Sequence, residues 1–154
     1  MSPIYTVTQA LERMKKFCAY QERCASEVRL KLQKEGFRGE EAEFVVAELI
    51  SEGFLNEERF ARAFVRGKFR MKQWGRVKIE NELKMRGVSS ACIRAGMKEI
   101  REDAYRSTLE GQIRKLGGVP EDRKSRYAQL RKLMARGFEP ALIQSVWGSA
   151  VDMD

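Results

Sequence analysis

Apolar residues recur at three- and four-residue spacing along almost the whole chain, with little of the strict alternation that marks a strand. The pattern predicts nine helices, over about 9–22, 25–35, 40–52, 57–67, 75–86, 90–99, 101–116, 123–136 and 140–149. Its three prolines, Pro3, Pro120 and Pro140, all fall at boundaries of this scheme. Asn56 is placed to cap the fourth helix, with Glu57 and Glu58 favouring the positive end of its dipole. Pro140 suits the first position of the last helix, and Gly117-Gly118-Val119-Pro120 breaks the chain before the eighth.

Within this pattern one motif returns three times: Leu32/Gly36-Phe37, Leu83/Gly87-Val88 and Leu133/Gly137-Phe138. The glycines stand 51 and then 50 residues apart, and a fixed period signals one repeated structural unit. Each instance reads as a helix end. The leucine packs in the last turn, glycine takes the left-handed position, and the apolar residue closes back on that turn. Gly53-Phe54 repeats the same stop after the third helix. Nine helices at this period form three sets of three. The expected fold is all-α, an elongated array of three tandem three-helix repeats at 9–54, 55–99 and 100–154, after a tail at 1–8. A unit of about 50 residues buries too little surface to stand alone, so neighbouring repeats are expected to share core.

Charge sharpens the picture because it is unevenly distributed. Lys and Arg outnumber Asp and Glu by 30 to 22, a formal net charge of +8. Gly39–Glu58 holds seven acidic residues and no basic one, whereas Arg59–Arg86 holds ten basic residues against Glu80 and Glu82. The second repeat is thus the most basic, which suits a partner rich in phosphate or carboxylate.

Two absences narrow the chemistry. The chain has no histidine, the commonest general base and metal ligand. Its three cysteines, Cys18, Cys24 and Cys92, form no C-x-x-C pair, so no Cys₂His₂ or Cys₄ zinc site is expected within one chain. Cys24, at the start of the second helix, reads as a packed thiol. No Walker-type glycine loop is present. The reading is a non-enzyme without cofactor or metal. Odd thiols, the lack of a leader-like pattern at Met1–Val7 and the lack of a membrane-length apolar run point to the cytoplasm. No heptad run suggests more than a monomer.

The candidate site lies in the basic repeat. Arg59, Arg62, Arg66 and Arg70 are spaced 3, 4 and 4, which aligns them on one stripe opposite Phe60, Ala61, Phe64 and Val65. The stripe fits either a ridge for phosphate or a solvated face pairing with nearby glutamates. After it, Lys68-Phe69-Arg70-Met71-Lys72-Gln73-Trp74-Gly75-Arg76-Val77-Lys78 alternates cations with aromatic or apolar residues across an expected non-repetitive linker. Cations with aromatic faces suit single-stranded nucleic acid. Trp74 is expected in the core, with Gly75 permitting close backbone packing, and Lys68 projects toward the apolar face if the helix continues. The helices at 76–86 and 90–99 resemble a helix-turn-helix, which leaves a free-standing DNA-binding transcription regulator as the alternative. The second of the pair offers chiefly Arg94 for base edges, however, so helix pairing is the better reading.

The stretches Phe54–Arg66 and Trp74–Val88, together with Glu27–Leu32/Gly36-Phe37 and Leu133–Phe138, resemble the RecX family of bacterial recombinase regulators over roughly 17–147. Cys24 departs from the serine expected ahead of Glu27, which weakens the capping box there. The resemblance implies tandem three-helix repeats and no enzymatic activity. It implies a partner, the RecA-type recombinase filament on single-stranded DNA, with only weak binding to that DNA alone. It also implies restraint of the filament's ATP hydrolysis, strand exchange and coprotease activity, in recombination and SOS DNA repair. The basic surface it points to maps onto Arg62, Arg66, Lys68, Arg70, Lys72, Arg76 and Lys78.

Overall fold

The computed structural model describes residues 3–152; Met1 and Ser2 of the expected tail, and Met153 and Asp154, lie outside them. Among the described residues are nine α-helices, one π-helical turn and no strand. They run α1 (Val7–Tyr20), α2 (Ala25–Lys34), α3 (Gly39–Ser51), α4 (Glu57–Gly67), the π-turn (Lys68–Lys72), α5 (Arg76–Met85), α6 (Ser90–Met97), α7 (Glu102–Lys115), α8 (Arg123–Ala135) and α9 (Pro140–Asp152). The all-α expectation holds.

Local chemistry sets most helix starts. Asn56 Oδ1 accepts from the Arg59 amide at 2.8 Å, and Asp122 Oδ1 from the Ser125 amide at 2.8 Å. α1 begins two residues before its expected start because Thr6 and Gln9 form a reciprocal capping box. At α2 the Glu27 carboxylate accepts from the Cys24 amide at 3.1 Å, and a thiol stands where the box would prefer a hydroxyl. That thiol is buried, and burial holds its pKa above the ordinary value.

The repeated motif closes in one way all three times. Phe37, Val88 and Phe138 each donate their amide to the carbonyl of the leucine five residues earlier, at 2.9, 3.1 and 3.1 Å. Gly36, Gly87 and Gly137 supply the required left-handed turn at φ of 94°, 77° and 101°. Leu32, Leu83 and Leu133 are completely buried beneath these closures. The periodic signal is therefore a repeated helix stop that drives one leucine and its closing partner into the core.

By its internal contacts the chain divides into two compact units. One takes the chain up to Ala63 together with Leu83–Gly96; the other takes Phe64–Glu82 and the chain from Met97 onward. The first unit packs α1 and α2 on α3, burying Met14, Val28, Leu32, Phe37, Val45 and Leu49. In the second, α7 and α8 pack on α9 around Tyr105, Leu109, Leu133, Phe138 and Ile143. Its two buried glutamines are each satisfied. Gln129 accepts from Trp147 Nε1 at 2.7 Å and donates to the Gly118 carbonyl at 2.9 Å. Gln112 belongs to the site described next.

Candidate nucleic-acid interface

The basic stretch is not a structureless linker. After Gly67 the chain keeps its helical course through the π-turn, whose wider hydrogen-bonding pattern shifts the side-chain register. It stops at Gln73, the one described non-glycine residue with positive φ, at 55°. The Trp74 amide then reaches back to the Lys68 carbonyl at 3.3 Å.

The backbone of residues 73–77 is held from several directions within the second unit. The Gln73 carbonyl accepts from Gln112 Nε2 at 2.7 Å, while Gln112 Oε1 accepts from Arg136 at 3.0 Å. The Gly75 amide donates to the Arg136 carbonyl at 2.8 Å, and the Val77 amide to the Gly137 carbonyl at 3.0 Å. Between them the Arg76 amide donates to the Tyr105 hydroxyl at 2.9 Å, which in turn donates to Glu139. Burial and the Glu139 carboxylate both push the Tyr105 pKa upward, so the phenol stays a donor. Rings reinforce the clamp: Phe69 lies 6.0 Å from Tyr105, and Tyr105 5.3 Å from Phe138.

Six of the seven candidate cations divide into three groups. Arg66 and Arg76 are engaged by carboxylates of their own unit. Arg66 meets Glu99 at 2.6 Å, while Arg76 bonds Glu102 at 2.5 Å and Glu139 at 3.0 Å and lies 3.9 Å over the Tyr105 ring. Burial works against the Arg76 charge, but the two carboxylates outweigh it and hold its pKa above the ordinary value. Lys68 and Lys78 form the second group. Their ammonium groups lie 5.0 and 4.5 Å from the Trp74 ring, and Lys68 also lies 5.4 Å from Phe64. Trp74 is accordingly half-buried, not the core plug its sequence context suggested. Two lysines could not cover a ring lost in the interior. Arg70 and Lys72 are the third group, exposed and without a carboxylate partner among the described residues, on either side of an 83% exposed Met71.

Arg62 falls in the first unit, where it pairs with Glu58 at 3.7 Å, and Arg59 of the same stripe meets Glu22 at 2.6 Å. Both arginines of the early part of the stripe therefore stand beside glutamates of their own unit. Sequence reasoning missed the clamp made by Tyr105, Gln112 and Glu139, because its partners lie 29 to 63 residues from the segment they hold. Gly75 was the one signal that pointed toward it.

Among the described residues no group of three or more His, Cys, Asp or Glu could hold a metal ion, and no helix is long and apolar enough to cross a membrane. The surface offers charge, aromatic faces and a fixed backbone.

Family models match the chain in two places. The RecX first three-helix domain matches residues 10–49, and the RecX second three-helix domain matches residues 56–97, which contains the whole basic stretch. The regulatory protein RecX of Halorhodospira halophila is 31% identical over 137 residues, covering 88% of this chain and 84% of its own. That of Pseudomonas fluorescens is 33% identical over 130 residues, covering 83% and 82%. That of Prosthecochloris aestuarii is 29% identical over 137 residues, covering 88% and 89%. A crystal structure of RecX from Lactobacillus salivarius shares the fold, with a TM-score of 0.80 at 16% identity over 96% of this chain and 97% of that one. A second, of regulatory protein RecX, gives 0.77 at 19% identity over 91% and 70%. The tandem three-helix arrangement is shared with these two structures, and with relatives near one-third identical over most of their length, the chain belongs to the RecX family of regulatory proteins.

Proposed function

We propose that this protein is a non-catalytic regulator that binds the RecA-type recombinase filament on single-stranded DNA. There it restrains ATP hydrolysis, strand exchange and coprotease activity. Family membership supports the class of partner. The observation that carries the site is the exposed Arg70-Met71-Lys72 turn, set beside Trp74 with its two lysines on a backbone clamped at Gln73, Gly75, Arg76 and Val77.

A fixed, uncompensated group of cations meets phosphate without first breaking ion pairs or ordering a loop. Within the seven candidate positions we assign Arg70, Lys72, Lys68 and Lys78 to the contact surface. Arg76 acts as a positioning residue that holds the segment through Glu102 and Glu139. Arg66, through Glu99, and Arg62, through Glu58, contribute by exchanging their internal partner for an external one. Tandem repeats that each touch the filament weakly act together through effective concentration, so affinity for DNA alone is low while filament binding is firm. The protein acts in the cytoplasm, where recombinase and DNA meet.

The test is single-stranded-DNA-dependent ATP hydrolysis by the host recombinase, titrated with wild-type protein and with a Lys68→Ala, Arg70→Ala, Lys72→Ala, Lys78→Ala variant. The wild type suppresses turnover well below one molecule per recombinase, and the variant loses most of that effect while remaining helical. Absence of any suppression by equimolar wild type sinks the regulator reading. Full suppression by the folded variant sinks the site.

A further inference from the structure

A second basic surface lies outside the matched family domains, on α8. From Arg123 to Arg136 the chain holds six cations (Arg123, Lys124, Arg126, Arg131, Lys132, Arg136) and no carboxylate. Two of them turn inward to the second unit's own structure. Arg126 donates to the Pro120 carbonyl at 2.8 Å and lies 5.8 Å from the Trp147 ring, and Arg136 donates to Gln112. The other four are exposed and have no carboxylate partner among the described residues.

This is unlike the first unit, where Arg13, Arg29 and Arg59 meet Glu35, Glu43 and Glu22 at 2.9, 2.7 and 2.6 Å. Gln129 and Leu133 fix which face of α8 is buried. On the outer face Arg123, Tyr127 and Arg131 succeed one another at four-residue spacing, with Lys124 beside Arg131 at about 100° per residue. Tyr127 is 62% exposed, and the Arg131 guanidinium lies 5.9 Å from its ring centroid. A large aromatic side chain held in solvent between unpaired cations has no packing role to explain it.

We propose that the outer face of α8 is a second contact site for single-stranded DNA, in which Arg123, Lys124 and Arg131 meet phosphates, Lys132 extends the positive surface along the flank of the helix, and Tyr127 stacks on a base. Repulsion among the four cations is relieved when phosphates displace their counterions. The exposed ring favours a single strand over an acidic protein surface, because every base offers a face to stack on. A duplex, whose bases are already stacked on one another, offers the ring no free face. The choice of DNA over RNA rests on the function proposed above; the site itself does not.

The experiment uses the full chain and a fluorescent oligothymidine, with anisotropy titrations at several salt concentrations. An Arg123→Ala, Lys124→Ala, Arg131→Ala, Lys132→Ala variant should bind at least about tenfold more weakly. Its plot of log K against log salt should flatten by roughly 0.7 for each phosphate that the variant no longer neutralises. Tyr127→Ala should lose about tenfold in affinity while Tyr127→Phe keeps it, a contrast that mere loss of charge cannot produce. Wild-type affinity and salt slope in both the quadruple variant and Tyr127→Ala would overturn the site. So would equal competition by polyglutamate with no effect of Tyr127→Ala; tighter binding of oligouridine than oligothymidine would overturn the choice of DNA. The Lys68, Arg70, Lys72, Lys78 variant is titrated in parallel. Binding lost there but intact in the α8 variants overturns this inference and leaves the proposed function standing. Recombinase ATPase unaffected by wild type, with α8-dependent oligothymidine binding, does the reverse.

Discussion

Gly75 and Gly137 meet backbone to backbone: a Cβ built on Gly75 would stand 2.2 Å from the Gly137 carbonyl carbon, and one on Gly137 would stand 2.5 Å from Lys78 Cβ. Two segments more than sixty residues apart are thereby brought closer than any side chain would allow. The contact sets the Gly75 amide on the Arg136 carbonyl and the Val77 amide on that of Gly137. It fixes where the Trp74–Lys78 surface lies in its unit.

The first prediction grades three glycines. Gly75→Ala must push backbone against backbone and should cost about 3 kcal/mol in urea unfolding. Gly87→Ala meets nothing within 4 Å, but its φ of 77° leaves strain of about 1 kcal/mol. Gly67→Ala, in open space inside a helical course, should stabilise by about 0.5–1 kcal/mol. A Gly75→Ala protein as stable as wild type would mean that the close approach is not made in solution.

Tyr105 offers a second test. Phenylalanine keeps the ring stack but removes the acceptor of the Arg76 amide and the donor to Glu139. Leaving these part-buried groups unmatched should cost about 1–3 kcal/mol. The change should also weaken recombinase inhibition, because the segment carrying Lys72 and Lys78 loses its central fastening. A stable variant with full inhibition would separate the clamp from the function.

Thiol chemistry should follow burial. Cys92 is half-exposed, whereas Cys18 and Cys24 are buried and the Cys18 pKa is pushed up to about 11 by burial. One equivalent should react quickly with a disulfide reagent at neutral pH, and the other two only as the protein opens. Mass mapping of the labelled cysteine decides the point; early modification of Cys18 or Cys24 would contradict the packing.

The same shift sets a pH dependence. Once unfolded, Cys18 ionises near its ordinary value of 9.0, but in the folded chain only near 11. Between those values the unfolded state binds fewer protons, so stability falls as pH rises. Below about pH 9 the effect vanishes. In urea titrations, the stability difference between wild type and Cys18→Ala should be constant to about pH 9 and shrink toward pH 11. A difference that grows over that interval would mean the thiol ionises more readily when folded.

Core leucines under the repeated stops should behave alike. Leu32→Ala and Leu133→Ala each empty a fully buried position beneath a phenylalanine closure, and each should cost about 2–5 kcal/mol by thermal or urea unfolding. A loss below 1 kcal/mol at either would show that the turn, not the leucine, holds that helix end.

What the chain determined by itself was everything that acts over a few residues, together with whatever returned at a fixed period. Apolar spacing placed nine helices, and Asn56 and Pro140 marked their starts. Three leucine–glycine–apolar stops foretold three identical closures, because a six-to-one hydrogen bond needs only the residues inside it. The basic stretch and its family likeness were legible for the same reason, since charge order is written along the chain. Which cations remain available was decided by tertiary structure alone. Arg66 is engaged by Glu99 and Arg76 by Glu102 and Glu139, whereas Arg70 and Lys72 meet no carboxylate among the described residues. Trp74 likewise is only half-buried where the core was expected, its ring lying against two lysines after the π-turn and the left-handed Gln73. An arginine's partner in space can lie thirty or sixty residues away, and local pattern carries no record of that distance.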